Sequence, residues 1–288
     1  MKIDLRSSEV GQPRREAGID WLTAVFHINL DGALRNSSMV PLLMERIRHV
    51  APNFAAIAFA AGELPQATTG RRPYALSIAP AQSVLILWHP ARSDVVCEMG
   101  GRACADARAR GLEFAILGEF QPYLSRLDLA VDIYGNVKPS EFISAGYSKR
   151  VKSIGHMSSP EGETYYVGSR SSEAFARVYR YSPPHIRSDR LRVETVFRRS
   201  LARQVAAGMV GEGGLNRGVA TASARFGWVH QCWVPDSAEP IELHRLVSTP
   251  SVDGKLRWIQ KQVVPTLRSL AREGIIDERS LLEMVFGA

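Results

Sequence analysis

Cysteine is scarce: Cys97, Cys104 and Cys232 are the only three in 288 residues. An odd number with no Cys-x-x-Cys pair gives neither a disulfide framework nor a zinc knuckle, so the three read as small buried hydrophobes in a reducing compartment. Long apolar runs are missing too. Nothing approaches the roughly 20 apolar residues of a membrane span, and the first residues are polar without an apolar core. The expected location is the cytoplasm, with no membrane partner. No His-x-His pair occurs among the seven histidines, which argues against a histidine-held metal. The run Gly211-x-Gly213-Gly214 has no following Lys-Ser/Thr and lacks the spacing of a dinucleotide fingerprint, which excludes the common nucleotide-binding loops.

Lysine is outnumbered by arginine in a chain of formal charge +7 and pI about 9.5. Arginine's planar fork grips phosphate oxygens in pairs, so the balance favours a polyanionic partner. A surplus of this size also occurs in ordinary soluble proteins, so charge supports a motif argument without carrying it. With 45% hydrophobic residues the chain can bury one large core or two smaller ones.

Local patterns predict an α+β fold. Residues 1–17 read as a flexible tail. Residues 18–205 form an α+β domain, 206–219 a glycine-rich linker or loop, and 220–288 a C-terminal strand and helical part packing on the same domain. A first strand begins at Ile19, with Trp21, Thr23, Val25 and His27 on one side. Met39–Val50 has helical spacing with Pro41 in its first turn. Tyr74–Ile78 and Ser83–His89 suggest a hairpin, Arg102–Arg110 a helix ended by Gly111, and Pro139–Ala145 a short helix. Residues 153–162 read as a glycine- and serine-rich loop. Strands follow at 164–167, 174–181 and 191–198. A basic helix over 253–272 should kink at Pro265, and a last short helix covers 277–286. The sheet is expected to be mostly antiparallel and curved, with helices on one face, a polar face opposite, and an order of elements that permits internal duplication.

The chemistry lies in three strands. Alternation in Arg126-Leu-Asp-Leu-Ala-Val-Asp132 puts Arg126, Asp128 and Asp132 on one face and Leu127, Leu129 and Val131 on the other. Arg177-Val-Tyr-Arg-Tyr181 puts Arg177, Tyr179 and Tyr181 together. Leu191-Arg-Val-Glu-Thr-Val-Phe197 does the same for Arg192 and Glu194. In one sheet these would share a surface on which carboxylates hold a hard cation, arginines hold phosphate and a tyrosine attacks phosphorus.

With Thr164-Tyr-Tyr-Val-Gly-Ser-Arg-Ser-Ser172 between them, these motifs resemble, in order and spacing, the replication-initiation factors of rolling-circle plasmids and filamentous phages, a family that includes some conjugative relaxases. Asp20-Trp-Leu-Thr23 and Leu256-Arg-Trp-Ile259 resemble its edges, so the likeness spans roughly residues 18–272. It implies a nucleophilic tyrosine at Tyr179 that nicks one strand of origin DNA, presented single-stranded or as a cruciform or supercoiled duplex. It also implies Mg²⁺ or Mn²⁺ on acidic residues, a homodimer and a host helicase as partner. The family continues from its tyrosine into an acidic or amide residue and then a lysine; Arg180-Tyr181 stands here instead.

Asp128 and Asp132 lie four residues apart, about 13 Å on a regular strand, too far to ligate one ion directly. Asp128 with Glu194 is therefore the favoured metal pair, and Asp132 an outer ligand or arginine partner. Arg177 and Arg192 are expected to stabilise the phenolate of Tyr179. Arg126, Ser169, Arg170, Ser171, Arg180, Lys255, Arg257 and Lys261 are candidates for contacting DNA. The alternative is a non-catalytic DNA-binding repressor or origin-binding protein on the same scaffold. An RNA-binding sheet is less favoured, because no aromatic RNP-like strand is present.

Overall fold

The computed structural model describes residues 15–28, 40–62, 65–71, 73–89, 92–135, 138–140, 143, 154–159, 162–180, 190–211, 213–226, 238–244, 256, 258–277 and 280. By contact density the chain divides into residues 1–243 and 244–288. The larger unit is built on ten antiparallel strands: β1 (Arg15–His27), β2 (Thr68–Thr69), β3 (Leu76–Ile78), β4 (Val84–Trp88), β5 (Asp94–Met99), β6 (Leu124–Tyr134), β7 (Ile154–Ser159), β8 (Gly162–Val167), β9 (Ala174–Arg180) and β10 (Arg190–Arg198). They lie in the order β2-β3-β4-β5-β1-β6-β10-β9-β8-β7. Read outward from the centre, one half runs β1-β5-β4-β3-β2 and the other β6-β10-β9-β8-β7. Each half lays down its central strand first and returns through a meander that ends beside it. The fold is thus an α+β sheet duplicated in topology.

Helices cover the apolar face, which carries Leu22, Leu127, Leu129, Val131 and Phe197. Helix α1 (Val40–Val50) buries Val40, Leu43, Met44 and Ile47, the stripe that a period of 3.6 predicts. After it come α2 (Pro52–Ala58), α3 (Gly101–Ala109), α4 (Glu113–Phe120), α5 (Arg199–Val210) and α6 (Gly214–Phe226). Phe26 and Phe54 pack on Phe120 with ring centroids 5.4 and 5.1 Å away, tying β1 and α2 to α4.

Several boundaries differ from those the sequence suggests. Strand β1 includes Arg15–Ala17 of the expected tail, because β6 is long enough to pair Arg15 with Ile133 and Glu16 with Asp132; the Tyr134 hydroxyl also donates to Glu16 at 2.8 Å. The expected linker 206–219 is instead the end of α5, a turn at Gly213-Gly214 with positive φ, and the start of α6. Its glycines serve packing: a Cβ at Gly218 would fall 2.5 Å from the Met209 sulfur and 3.0 Å from Leu129. The expected loop 153–162 contains the edge strand β7, held by β8 from Ile154↔Val167 to Ser159↔Gly162. The segment 220–243 falls in the first unit, and the break comes at Leu243/His244 rather than at a glycine-rich linker.

In the second unit, α7 (Val264–Arg272) follows one π turn at Ile259–Val263. Pro265 lies in the first turn of α7, where its missing N–H is tolerated. Helical residues already occur upstream at Leu256 and Trp258, so Pro265 stands within the helical run, directly after the π turn that breaks its regular hydrogen bonding. Most of the expected helices at 139–145 and 277–286 lies outside the described residues.

Candidate active site on the polar sheet face

Register decides which side chains meet. In β10–β6, Arg192 faces Asp132, Glu194 faces Ala130 and Arg198 faces Arg126. In β10–β9, Arg177 faces Glu194 and Tyr179 faces Arg192. Directly paired residues share a face, so Arg126, Asp128, Asp132, Arg192, Glu194, Arg177 and Tyr179 share the polar one, as the alternation predicts. Asp128 lies diagonally across from Glu194.

Every one of these carboxylates is clasped. Asp128, 1% exposed, accepts from Arg126 Nε at 2.8 Å and Nη2 at 2.6 Å, and the same guanidinium lies 5.2 Å from the Trp21 ring centre. Glu194, fully buried, is bound by Arg177 Nη2 and accepts from the Tyr179 hydroxyl at 3.1 Å. Asp132 accepts from Arg192 Nε and Nη2, both at 2.8 Å, and from Arg190 Nη1 at 3.0 Å. Arg192 Nη1 also donates to Asp20 at 2.7 Å.

Asp20 enters through a bulge: Ile19 faces Leu129 while Trp21 faces Asp128, leaving Asp20 as the extra residue. It reaches the start of α3 because Gly101 has no side chain; a Cβ there would fall 2.9 Å from its carboxylate. The sequence shows Asp20 only as part of a resembling motif edge, and nothing local marks it as a bulge. Its role in this network was missed for that reason.

Electrostatics follow from burial. Burial, opposed by the Arg126 fork and reinforced by neighbouring Glu194, pushes Asp128 up to about 8. Asp20 is also raised, by burial against the pull of Arg192. The Tyr179 hydroxyl is raised by burial and then by the Glu194 charge, with Arg177 and Arg192 opposing. The phenol is therefore held protonated, with its hydrogen aimed at a carboxylate. Arg177 Nε is buried without a hydrogen-bond partner, so one donor beside the tyrosine is uncommitted.

Of the other expected site residues, Ser169 and Ser171 share a 2.8 Å hydrogen bond within the β8–β9 turn. Arg170 stacks 4.9 Å from the Tyr166 ring centre, and its carbonyl accepts from Arg198 at 2.6 Å. Arg180 pairs with Leu191, which sets it on the face opposite Tyr179. Lys261 belongs to the second unit. Tyr181, Lys255 and Arg257 lie outside the described residues.

Among the described residues no group of three or more His, Cys, Asp or Glu side chains could hold a metal ion. Mg²⁺ keeps several waters and often takes one or two carboxylates plus substrate oxygens, so the neighbouring pair Asp128 and Glu194 meets its minimum. Their mutual repulsion is what a cation would relieve. Arginines supply that charge here.

Comparison of the sequence with family models and with curated proteins finds no match. Among described residues no helix is long and apolar enough to cross a membrane. Among solved structures, the chain is similar to a rolling-circle replication initiator protein from Geobacillus stearothermophilus. The match has a TM-score of 0.53 and 18% identity, covering 74% of this chain and 86% of that one. The two proteins share a fold, and the duplicated sheet carrying the Tyr179 cluster is an instance of it.

Proposed function

We propose that this protein is a cytoplasmic rolling-circle replication initiator that nicks and rejoins one strand of origin DNA through Tyr179. The observation that carries this reading is the junction of β9 and β10. There a tyrosine hydroxyl donates to a buried carboxylate that an arginine also clasps, on the polar face of a sheet whose fold a known initiator shares. Glu194 is the base that takes the phenolic proton as the Tyr179 oxygen attacks phosphorus. The bond from phosphorus to the 3′-oxygen breaks, that oxygen takes a proton from water, and the 5′ end remains as a phosphotyrosyl ester. Arg177 steadies the phosphoryl oxygens through its free donors, and Arg192, directly opposite Tyr179, adds positive field. Asp128 and Glu194 would hold Mg²⁺ or Mn²⁺ in place of guanidinium contacts, and the ion would supply Lewis-acid polarisation of the phosphate.

Incubation with a labelled single-stranded origin oligonucleotide and Mg²⁺ or Mn²⁺ tests this directly. A covalent adduct mapping to Tyr179 is expected. An adduct on Tyr165 or Tyr166 would move the nucleophile, and unchanged nicking in excess chelator would remove the metal. Salt-dependent DNA binding with no adduct would leave a binding-only protein, for which the full engagement of the carboxylates by arginine is the structural argument.

A further inference from the structure

The polar face carries a second tyrosine–carboxylate–arginine cluster, in the other half of the sheet. Asp94, the first residue of β5, accepts from Arg92 Nε at 2.6 Å and Nη2 at 2.8 Å and from the Tyr74 hydroxyl at 3.0 Å. The Arg92 guanidinium lies 5.5 Å from the Tyr74 ring centre. Around Glu194 the same residue types recur, with the arginine on the neighbouring strand and bound through Nη2 alone: Tyr179 donates at 3.1 Å, and Arg177 lies 5.6 Å from its ring centre.

The strand registers relate the two carboxylates alone: Tyr179 and Arg177 lie on β9, whereas Tyr74 precedes β3 and Arg92 precedes β5. Thr23 and Arg126 face each other across the central β1–β6 pair. Asp94 faces His27, four residues after Thr23, and Glu194 faces Ala130, four residues after Arg126. Counted from the Thr23–Arg126 pair, Asp94 and Glu194 lie equally far along in opposite directions. On the same count Val25 corresponds to Asp128, so the N-terminal cluster has an apolar residue where the other has its second carboxylate. Lacking that group, the Tyr74 cluster has a charge fork without the acidic pair that would support chemistry. Eight residues along the strands and three strand spacings across place the two clusters about 30 Å apart.

We propose that Arg92, set by Asp94 and Tyr74, forms a second backbone-phosphate site, with Arg71, set by Glu98 opposite Thr23, as an intermediate contact about 20 Å from Glu194. It holds duplex DNA about one helical turn from the strand engaged at Tyr179. This rests on the reading of the protein as a DNA strand-transfer initiator and adds to it. Clasping Asp94 through Nε and Nη2 leaves Arg92 its Nη1 donors and one on Nη2, the edge that pairs with phosphate oxygens. The Arg92 and Arg71 side chains are 45% and 60% exposed while their carboxylates are 12% and 7% exposed. The acids are thus buried anchors, and the guanidinium groups are open to a ligand. A spacing of about 30 Å approaches the roughly 34 Å of one duplex turn, so both sites can meet backbone along one side of a helix.

The test measures salt-dependent affinity of the full chain and its R71Q and R92Q variants for a duplex of about 20 base pairs and one of about 8, since only the longer spans a turn of roughly 10 base pairs. The wild type should bind the longer duplex with the steeper log-log slope. Each variant should lower that slope by about 0.9, the loss of one phosphate contact. The 8-base-pair probe should not separate R92Q from the wild type. Wild-type slopes for both variants on the long duplex would overturn the second site while leaving the initiator reading intact. Equal R92Q losses on long and short probes would overturn the one-turn spacing and with it the proposal. No salt-dependent affinity of the wild type for any DNA would remove the initiator reading as well. R71Q changes a mostly exposed side chain and decides the matter if R92Q does not fold.

Discussion

The Tyr74 and Tyr179 clusters lie in opposite halves of one sheet and differ in depth and in what surrounds them. Glu194 is fully buried and has Asp128 diagonally beside it, with the Arg192–Asp132–Asp20 chain on the same face. Asp94 lies near the end of its strand pairing, with Val25 standing where Asp128 would be. Both halves hold a guanidinium and a tyrosine hydroxyl on one carboxylate. What differs is the second acid and the burial that perturbs it. A phosphate site needs only the fork, whereas nucleophilic attack also needs a base and a means of balancing charge.

The largest contrast should appear in covalent chemistry. Tyr179→Phe removes one hydroxyl from a packed ring and should form no protein–DNA adduct on denaturing gels. Tyr74→Phe should still form it, reduced only as far as DNA binding is reduced. An adduct that survives in the first and vanishes in the second would reverse the roles of the two wings.

Stability should separate them next. Glu194→Gln leaves Arg177, two-thirds covered, facing a neutral group in a buried site, and breaking such a pair from one side costs about 3 kcal/mol. Asp94→Asn leaves Arg92 nearly half exposed, where solvent makes the loss smaller. Urea unfolding of both variants measures the difference, and equal losses would mean that the two clusters are equally buried in solution.

The wings should also answer pH with opposite signs. The folded-state value of Asp128 lies above its ordinary value, near 8, so its neutral form favours folding. That contribution is complete below about pH 4 and is lost as the pH rises towards 8. Asp94 is lowered, by the Arg92 hydrogen bonds first, so its contribution is present above its ordinary value near 4 and is lost on acidification. Thermal unfolding should show Asp128→Asn flattening the decline between pH 5 and 8 and Asp94→Asn flattening the fall below pH 4. A wild-type stability curve that rises from pH 5 to 8 would contradict the Asp128 assignment.

The smallest effect concerns the β8–β9 turn. Arg170→Ala should reduce the log-log salt slope of DNA binding by about 0.9, one phosphate contact. An unchanged slope would assign Arg170 to its stack on Tyr166 alone.

Strands β6, β9 and β10 were legible because charged and apolar residues alternate with the period of a strand, and that alternation also placed Asp128, Glu194 and Tyr179 on one face. Strand β5, Asp94-Val-Val-Cys-Glu-Met99, was not, because Val96 stands between Asp94 and Glu98 on their face and breaks the alternation of charged and apolar residues. Missing it hid the Tyr74 cluster. The glycines of 208–218 suggested a linker because glycine lowers helix propensity. Only the close approach of Met209 and Leu129 shows that Gly218 makes room for packing within a helix. Strand β7 looked like a loop for the same compositional reason, and its pairing with β8 overrode that preference.

The sequence by itself determined the face on which each charged side chain lies, since alternation along a strand is a local property. It also determined the local pairing of Arg126 with Asp128, two residues away on the same side. Only the tertiary structure decided that Arg177 and Tyr179 meet Glu194, that a bulge delivers Asp20 to Arg192, and that Tyr74 meets Asp94. Each depends on register between segments far apart in the chain, and a slip of one residue would carry a whole strand's side chains to the opposite face.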